Sequence, residues 1–168
     1  QAEWVIICVP NKLHWWITLC GLEAGVQVIC EKPPAITVQE AQAMEKKAEE
    51  KKLLLSYGFH FRHIEQTAFL KDKILAGDFG TIYNTNVQWH RIREMPVWGI
   101  CTNKAMQGGR SRFDIGAHML DCARYLLGYA QISYVCASSS DRIGKRGGQG
   151  LMGTWDGGRF TVEDGLFG

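Results

Sequence analysis

The sequence is poor in proline and has no apolar run long enough to cross a membrane. Only four of its 168 residues are proline, and a hydrophobic fraction of 46% excludes a disordered or fibrous chain. Its longest apolar stretches, such as residues 4–10, fall far short of the roughly 20 residues that a membrane-spanning helix needs. The first residues also lack the pattern of an export signal. We therefore expect a soluble, cytoplasmic protein with no membrane partner.

The sequence also has no strong excess of one charge and no closely spaced pair of cysteines. Nineteen Lys and Arg against seventeen Asp and Glu leave a net charge of +2, and no basic block is interleaved with aromatics, so nucleic-acid binding is not indicated. None of the cysteines forms a Cys-x-x-Cys pair, and most lie in apolar windows, which favours reduced thiols over disulfides or a metal site. We predict that six buried thiols are present: Cys8, Cys20, Cys30, Cys101, Cys122 and Cys136.

The first sixty residues alternate between strand-like and helical patterns. Three continuous apolar runs of strand length predict strands that are covered on both faces: residues 4–9, 26–30 and 53–57. A helical repeat that ends near Gly25 separates the first two, and a capping box, Thr37-x-x-Glu40, opens a charged helix before the third. This order predicts two right-handed crossover units. Residues 1–60 are therefore interpreted as part of a doubly wound, parallel, Rossmann-like α/β domain.

Beyond residue 60 the pattern predicts a partial α+β domain over residues 61–168. Its expected elements are a helix over residues 64–76, a half-buried strand over 81–93, a loop over 94–112, a helix over 114–127 and a strand over 132–137. Seven glycines within residues 141–159 predict a mobile loop without a packed element. Three parallel strands alone leave an apolar edge, so we expect a piece of a larger protein or a chain that forms homo-oligomers.

Polar residues follow each of the three predicted parallel strands. The ligand crevice of an open parallel sheet lies beyond the carboxyl ends of its strands. The segments found there are Pro10-Asn11-Lys12-Leu13-His14, Glu31-Lys32-Pro33-Pro34 and Gly58-Phe59-His60-Phe61-Arg62. Each one alone is typical of an ordinary polar loop. Their convergence on one edge predicts a binding site for a small molecule.

A carboxylate and an imidazole stand four residues apart in Asp114-Ile-Gly-Ala-His118. This spacing places both on one helix face, where the acid can orient the ring as a general base. The alternative is that Asp114 only caps the helix and that His118 is a satisfied residue near the core. A metal-binding module using His60, His63 and His90 is a further alternative, although no ligands stand at a recognisable spacing.

Four segments, taken together and in this order, resemble a known family over nearly the whole chain. They are Ile7-Cys-Val-Pro-Asn-x-x-His14, Ala24-Gly-Val-Gln-Val-Ile-Cys-Glu-Lys-Pro33, Gly108-Gly109 and Asp114-Ile-Gly-x-His-x-x-Asp121. The sequence is similar to the glucose–fructose oxidoreductase, inositol dehydrogenase and rhizopine-catabolism (Gfo/Idh/MocA) family of nicotinamide-dependent oxidoreductases. The resemblance implies hydride transfer between NAD or NADP and a sugar, cyclitol or related polyol.

The resemblance also implies roles for individual residues. His118 would take the hydroxyl proton, Asp114 would hold its ring, and Lys32 would polarise the reacting oxygen. The residues implied near the cofactor are Pro10, Asn11, His14, Glu31 and Lys32. The residues implied at the substrate are Arg62, Trp89 and Arg91.

The sequence departs from the family pattern at two places. The glycine-rich cofactor fingerprint belongs upstream of residue 1, and the formal match at residues 148–153 follows a glycine loop instead of a strand. Arg110-Ser111-Arg112 stands where the family usually has another glycine and small or apolar residues. The alternative hypothesis is therefore a non-catalytic remnant that self-associates without binding cofactor.

Overall fold

The computed structural model describes residues 2–91, 96–97 and 99–168, and its N-terminal part is built on a parallel sheet. The strands and their connecting helices are β1 (Trp4–Ile7), α1 (His14–Glu23), β2 (Gln27–Cys30), α2 (Val38–Lys51) and β3 (Leu55–Tyr57). The strands pair in the order β1-β2-β3, so Ile7, Cys30 and Tyr57 lie side by side at their carboxyl ends. The predicted α/β fold with a parallel sheet is confirmed.

The core of this sheet lies on one face only. Its buried residues come from β1, β2, both helices and the segment between β2 and α2: Ile7, Leu22, Val28, Cys30, Ala35, Met44 and Ala48. Two right-handed crossovers that step in the same direction place both helices on the same side of the sheet. On the other side, Ile6 is 67% exposed. The prediction that the strands are covered on both faces is therefore wrong for β1 in the described chain.

The capping box that opens α2 is formed as predicted. The Thr37 hydroxyl oxygen accepts from the Glu40 backbone N–H at 3.2 Å, and the Glu40 carboxylate accepts from the Thr37 N–H at 3.1 Å. Both bonds satisfy backbone donors that have no partner inside the helix. They fix the start of α2 and hence the loop that leads to it from β2.

The second half contains helices and two short antiparallel strand pairs. Its elements are α3 (Glu65–Leu75), α4 (Lys104–Gln107), α5 (Ala117–Leu126), β4 (Ser138–Ser140), β5 (Gly148–Gly150), β6 (Gly153–Trp155) and β7 (Gly165–Phe167). β4 pairs with β7, and β5 pairs with β6. The Lys71 ammonium on α3 donates to the Tyr125 carbonyl of α5 at 2.7 Å, which ties these two helices together.

Two strands predicted in this half are absent from the described residues. Residues 81–91 and 132–137 carry no strand, and their alternating apolar side chains are exposed, with Tyr83 at 94% and Tyr134 at 80%. The end of the first predicted strand, at residues 92–93, lies outside the described residues. Alternation indicates which side chains a strand would bury, but a strand also needs a partner edge. No described strand pairs with either segment.

The glycine-rich segment 141–159 contains paired strands, so the prediction that it has no packed element is wrong, and its mobility stays a prediction. It contains the β5–β6 hairpin, and the Trp155 indole N–H donates to the Gly144 carbonyl at 2.8 Å. A Cβ atom at Gly144 would lie 2.0 Å from the Phe160 ring, so glycine here permits a close contact. The formal glycine motif at residues 148–153 therefore lies on a hairpin and opens no helix.

All six cysteines are free thiols, but most are not buried. Only Cys30 lies in the core, whereas Cys8, Cys20 and Cys136 are exposed. Apolar neighbours in sequence do not bury a thiol that stands on an uncovered surface. Within the described chain, every helix is too short or too polar to cross a bilayer.

Replacing Leu22 with alanine should lower the free energy of unfolding by about 2–5 kcal/mol, because Leu22 is 0% exposed in the one-sided core. The matched control is Leu54→Ala, since Leu54 is 61% exposed and should change this free energy by less than about 0.5 kcal/mol. Urea denaturation followed by circular dichroism measures both. Equal losses in the two variants would contradict a core that lies on one face.

Candidate active site

An ion pair joins the parallel sheet to the segment that opens α5. Lys32 follows β2 after one residue, and its ammonium donates to Asp114 Oδ1 at 2.7 Å and to the Asp114 carbonyl at 3.3 Å. The Lys32 side chain is largely buried, whereas Asp114 keeps part of its carboxylate in solvent. Two of the three residues implied as catalytic are therefore in direct contact, although they are 82 residues apart in sequence.

Asp114 is held by a π-helical turn over Arg112–Gly116. The Gly116 N–H donates to the Ser111 carbonyl at 2.7 Å, five residues back, and the Asp114 N–H donates to the Arg110 carbonyl at 2.7 Å. A Cβ atom at Gly116 would lie 2.6 Å from the Ser111 carbonyl oxygen. Only glycine fits there, which explains the glycine two residues after Asp114.

The carboxylate of Glu163 secures the start of the same turn. Its Oε1 accepts from the backbone N–H of Arg110 at 2.9 Å and of Arg112 at 3.1 Å. A Cβ atom at Gly109 would lie 2.9 Å from that oxygen, so the second glycine of Gly108-Gly109 makes room for the carboxylate. The sequence motif is thus explained by close packing.

His118 lies in the first turn of α5 and is only 5% exposed. Aromatic rings enclose it, with centroids at 4.5 Å for His60, 5.0 Å for Phe61 and 6.3 Å for Phe59. Its Nδ1 has no hydrogen-bond partner among the residues that the structure describes. Burial lowers the pKa of His118 to about 4, and the positive charges of Lys32 and His60 act in the same direction. The imidazole is therefore neutral near pH 7 and can accept a proton.

The π-helical turn changes how Asp114 and His118 face each other. In a regular helix, residues four apart share a face, whereas an extra residue in a π turn rotates the following residues by about 100°. Asp114 bonds to Lys32, and no described contact bonds its carboxylate to the His118 ring. Both groups still lie at the carboxyl edge of the sheet. A role of Asp114 in orienting His118 stays a prediction.

The residues implied near the cofactor also gather at this edge. The Asn11 amide donates to the Gln107 carbonyl at 3.0 Å, which ties the end of β1 to α4. The Glu31 carboxylate is exposed and accepts from the Lys32 N–H at 3.1 Å. It lies over Gly58, where a Cβ atom would stand 2.9 Å from Glu31 Oε2. Pro10, half-buried, accepts from the Leu13 N–H at 2.8 Å.

His14 is enclosed rather than directed at the crevice. Its ring nitrogens lie 2.7 Å from the Pro33 carbonyl oxygen and 2.9 Å from the Val9 carbonyl oxygen. These contacts connect the segment after β1 with the segment after β2, and the ring is buried. In this structure His14 holds these two segments together. Its implied contact with a cofactor stays a prediction.

Arg62, implied as a substrate residue, is engaged within the protein. Its Nε donates to Asp121 Oδ2 at 2.7 Å, its Nη2 donates to Asp121 Oδ1, and the hydrogen bonding raises its pKa. The guanidinium carbon also lies 5.2 Å from the centroid of the Phe59 ring. The pair ties the segment after β3 to α5. Asp121 was given no role from sequence, although its position three residues after His118 is a visible helical spacing.

Trp89 and Arg91 lie on an exposed segment without regular secondary structure. The Trp89 ring stacks on Phe61 with centroids 6.3 Å apart, and Phe61 in turn contacts His118. Trp89 is therefore separated from His118 by one ring, that of Phe61. The part played by His60 and Phe61 was not expected, because nothing in sequence spacing indicates which aromatic ring packs on which histidine.

The described part of the chain contains no group of three or more His, Cys, Asp or Glu residues that could hold a metal ion.

Comparison with protein families assigns both halves of the chain. The model of the oxidoreductase family with an NAD-binding Rossmann fold (GFO_IDH_MocA) matches residues 1–59, and the GFO/IDH/MocA C-terminal domain matches residues 67–165. The chain belongs to the Gfo/Idh/MocA family. The resemblance identified from sequence motifs is confirmed.

Several sequenced and solved Gfo/Idh/MocA proteins are similar to the chain. D-glucoside 3-dehydrogenase of Escherichia coli (strain K12) is 43% identical over 100% of this chain and 48% of its own length. Levoglucosan dehydrogenase of Pseudarthrobacter phenanthrenivorans is 35% identical over 92% of this chain and 41% of its own length. A levoglucosan dehydrogenase solved in complex with NADH has a TM-score of 0.75 at 27% identity, over 98% of this chain and 43% of its own. The chain thus spans slightly less than half the length of these relatives.

Burial of His118 should make stability depend on pH. The unfolded chain takes up a proton near pH 6.5 and the folded chain only near pH 4, so the free energy of unfolding should fall as pH drops between these values. The slope due to this one group is about 1.4 kcal/mol per pH unit. In His118→Phe this contribution should disappear.

Urea titrations of both proteins at a series of pH values measure the difference between them. Above about pH 7 the histidine is neutral in both states, so the two curves should run parallel there. Parallel curves over the acidic range as well would contradict a buried, neutral His118.

Proposed function

We propose that this chain carries the catalytic edge of an NAD(P)-dependent oxidoreductase that acts on a sugar, cyclitol or related polyol. The observation that carries the proposal is the Lys32–Asp114 ion pair at the carboxyl edge of the parallel sheet, with a buried imidazole, His118, at the same edge. The names of the similar proteins, which include dehydrogenases of glucosides and of levoglucosan, support the substrate class.

A nicotinamide cofactor fits the chemistry of this edge. Its exposed groups, the Glu31 carboxylate and the segment around Asn11, can accept and donate hydrogen bonds to a ribose and a carboxamide. The glycine-rich fingerprint for the pyrophosphate is not part of these 168 residues. When bound, NAD or NADP supplies the hydride acceptor. The family model for the first half and the solved complex of a relative with NADH support this choice.

In the proposed mechanism, the neutral His118 imidazole accepts the proton of the substrate hydroxyl. The Lys32 ammonium stabilises the negative charge that develops on that oxygen, and the carbinol hydrogen leaves with its electron pair, so that a carbonyl forms. Asp114 Oδ1 fixes the ammonium in position through the 2.7 Å hydrogen bond. The aromatic rings around His118 exclude water from one side of the base.

Removal of the Lys32 ammonium should lower kcat roughly 100-fold or more, because the developing negative charge loses its stabilising partner. The variant is Lys32→Met, and His118→Phe should have an effect of similar size through loss of the base. The rate of NAD(P)H formation with a panel of glucosides and cyclitols measures turnover.

The matched control for this experiment is Lys46→Met, because Lys46 lies on α2 with a largely exposed side chain and should leave kcat unchanged. Circular dichroism of each variant verifies that the fold is retained. Rates equal to wild type in both Lys32→Met and His118→Phe would overturn the proposed roles.

The competing proposal is a remnant without turnover. It predicts that the chain does not bind cofactor, whereas the oxidoreductase proposal predicts that it does. Isothermal titration of the protein with NAD(H) and NADP(H) should give saturable, micromolar binding if the chain is an oxidoreductase. The absence of any heat of binding with all four would favour the remnant. We also propose that residues 1–60 form a cofactor domain and residues 61–168 a substrate domain, and that the protein is cytoplasmic.

We also propose that the protein forms homo-oligomers. Tyr134, Val135 and Phe167 are exposed around the β4–β7 pair, and apolar surface of this kind is rare on monomers when it forms one patch. A second copy of the chain would cover it. Analytical ultracentrifugation at micromolar concentration should give the mass of a dimer or a larger oligomer, and a clean monomer would contradict the proposal.

A further inference from the structure

His60 is an exposed neighbour of the buried base that the proposed mechanism uses. It begins a short 3-10 turn, His60–His63, in the segment after β3. Its ring meets the His118 ring edge to face, with centroids 4.5 Å apart and an angle of 65° between the two planes. Because His118 is only 5% exposed, the two rings together lead from a buried imidazole to one that is in contact with solvent.

The oxidation of a hydroxyl leaves one proton on His118 in each turnover, and this proton must reach solvent before the base can act again. Burial lowers the pKa of His118 to about 4, and the positive charges of Lys32 and of a protonated His60 act in the same direction. The His118 imidazolium therefore releases its proton readily when an acceptor lies beside it.

Four charged or titratable groups act on His118 through their charge: Lys32 and Glu31 after β2, Asp114 in the π turn and His60 after β3. The Lys32 ammonium has donors only, so it accepts no proton. The Asp114 carboxylate accepts from that ammonium, and the Glu31 carboxylate accepts from the Lys32 backbone N–H. A neutral histidine has one ring nitrogen that can accept a proton, and the His60 ring is already in contact with the His118 ring.

We propose that His60 carries the proton of the reaction from His118 to solvent. The proposal rests on the proposed oxidoreductase function and adds one residue to it. The N–H of the His118 imidazolium gives its proton to the unprotonated nitrogen of a neutral His60, and His118 returns to the neutral form. The His60 imidazolium then releases a proton to water or to a buffer base, so that one proton leaves the protein and no electrons move.

The exposure of His60 suits both halves of this transfer. Exposed side chains change rotamer within nanoseconds, which is far faster than a typical turnover, so the ring can turn toward His118 and then toward solvent. His60 acts through His118 in this scheme, and the scheme needs no contact between His60 and the substrate.

The first test is His60→Ala, which should lower kcat roughly 10-fold or more in dilute buffer, because the proton must then leave a ring that is only 5% exposed. Free imidazole should restore most of the lost rate, since it can enter the space left by the side chain and accept the proton. The rate of NAD(P)H formation at increasing imidazole concentration measures both effects. Wild type should not respond to imidazole.

The matched control is His63→Ala, because His63 is exposed at the other end of the same turn and should leave kcat unchanged with and without imidazole. His60→Phe keeps a ring beside His118 but has no nitrogen, so it should also lose rate. Circular dichroism verifies the fold of each variant. Wild-type rates in both His60 variants would overturn the proposal, and so would a loss in His60→Ala that imidazole does not reverse, because a purely structural role gives that result.

A measurement without sugar or cofactor separates this proposal from the oxidoreductase proposal. If no sugar is oxidised, the oxidoreductase proposal fails, and the exchange of the His118 ring N–H with water still tests the transfer to His60. NMR of protein with ¹⁵N-labelled histidine should show this exchange slowed roughly 10-fold in His60→Phe and unchanged in His63→Ala. Exchange at the wild-type rate in folded His60→Phe would show that His60 does not carry the proton.

Discussion

The candidate active site depends on the hydrogen-bonded ion pair between Lys32 and Asp114. One partner follows a strand of the parallel sheet, and the other lies in a turn of the second half of the chain. The largely buried Lys32 ammonium would lie in the protein without a charged partner if Asp114 were absent, so the pair makes the two segments dependent on each other. The glycines and the Glu163 carboxylate beneath the turn serve to hold Asp114 where Lys32 can reach it.

A second pair, Arg62 with Asp121, acts in parallel with the first. It connects the segment after β3 to the middle of α5, one helical turn beyond His118. Between the two pairs, the imidazole is enclosed by rings from the segment after β3. The His118 imidazole is thus packed between aromatic residues, on a helix that the two ion pairs attach to the segments after β2 and β3.

Much of the first half could be predicted, because its signals are local. Apolar runs, the capping box and the spacing of strands and helices each depend on neighbouring residues only, and together they indicate a parallel sheet with its crevice at a known edge. The predictions of strands at residues 81–93 and 132–137 were wrong in the described residues, and the reason is physical. A segment forms a strand only when it pairs with the edge of another strand, and the sequence of the segment itself does not indicate whether such an edge is present.

The site divides in the same way. Lys32, Asp114 and His118 could be named from motifs, but the bonding partner of Asp114 could not, because it depends on the phase of a π turn. His14 was expected in the crevice, yet its ring serves backbone carbonyls. Arg110 was noted only as a departure from the family, and its contact with the Phe160 ring and its buried, unpartnered Nη1 depend on packing between distant segments.

The π turn before α5 has a consequence for how such a site can diverge. The orientation of Asp114 relative to His118 is governed by the number of residues in the turn, so it changes in steps of one residue rather than gradually. A deletion of one residue there would therefore change the phase between the two side chains by about 100° in a single step. Divergence at this turn would alter the neighbours of the Asp114 carboxylate all at once, while the rest of α5 kept its sequence.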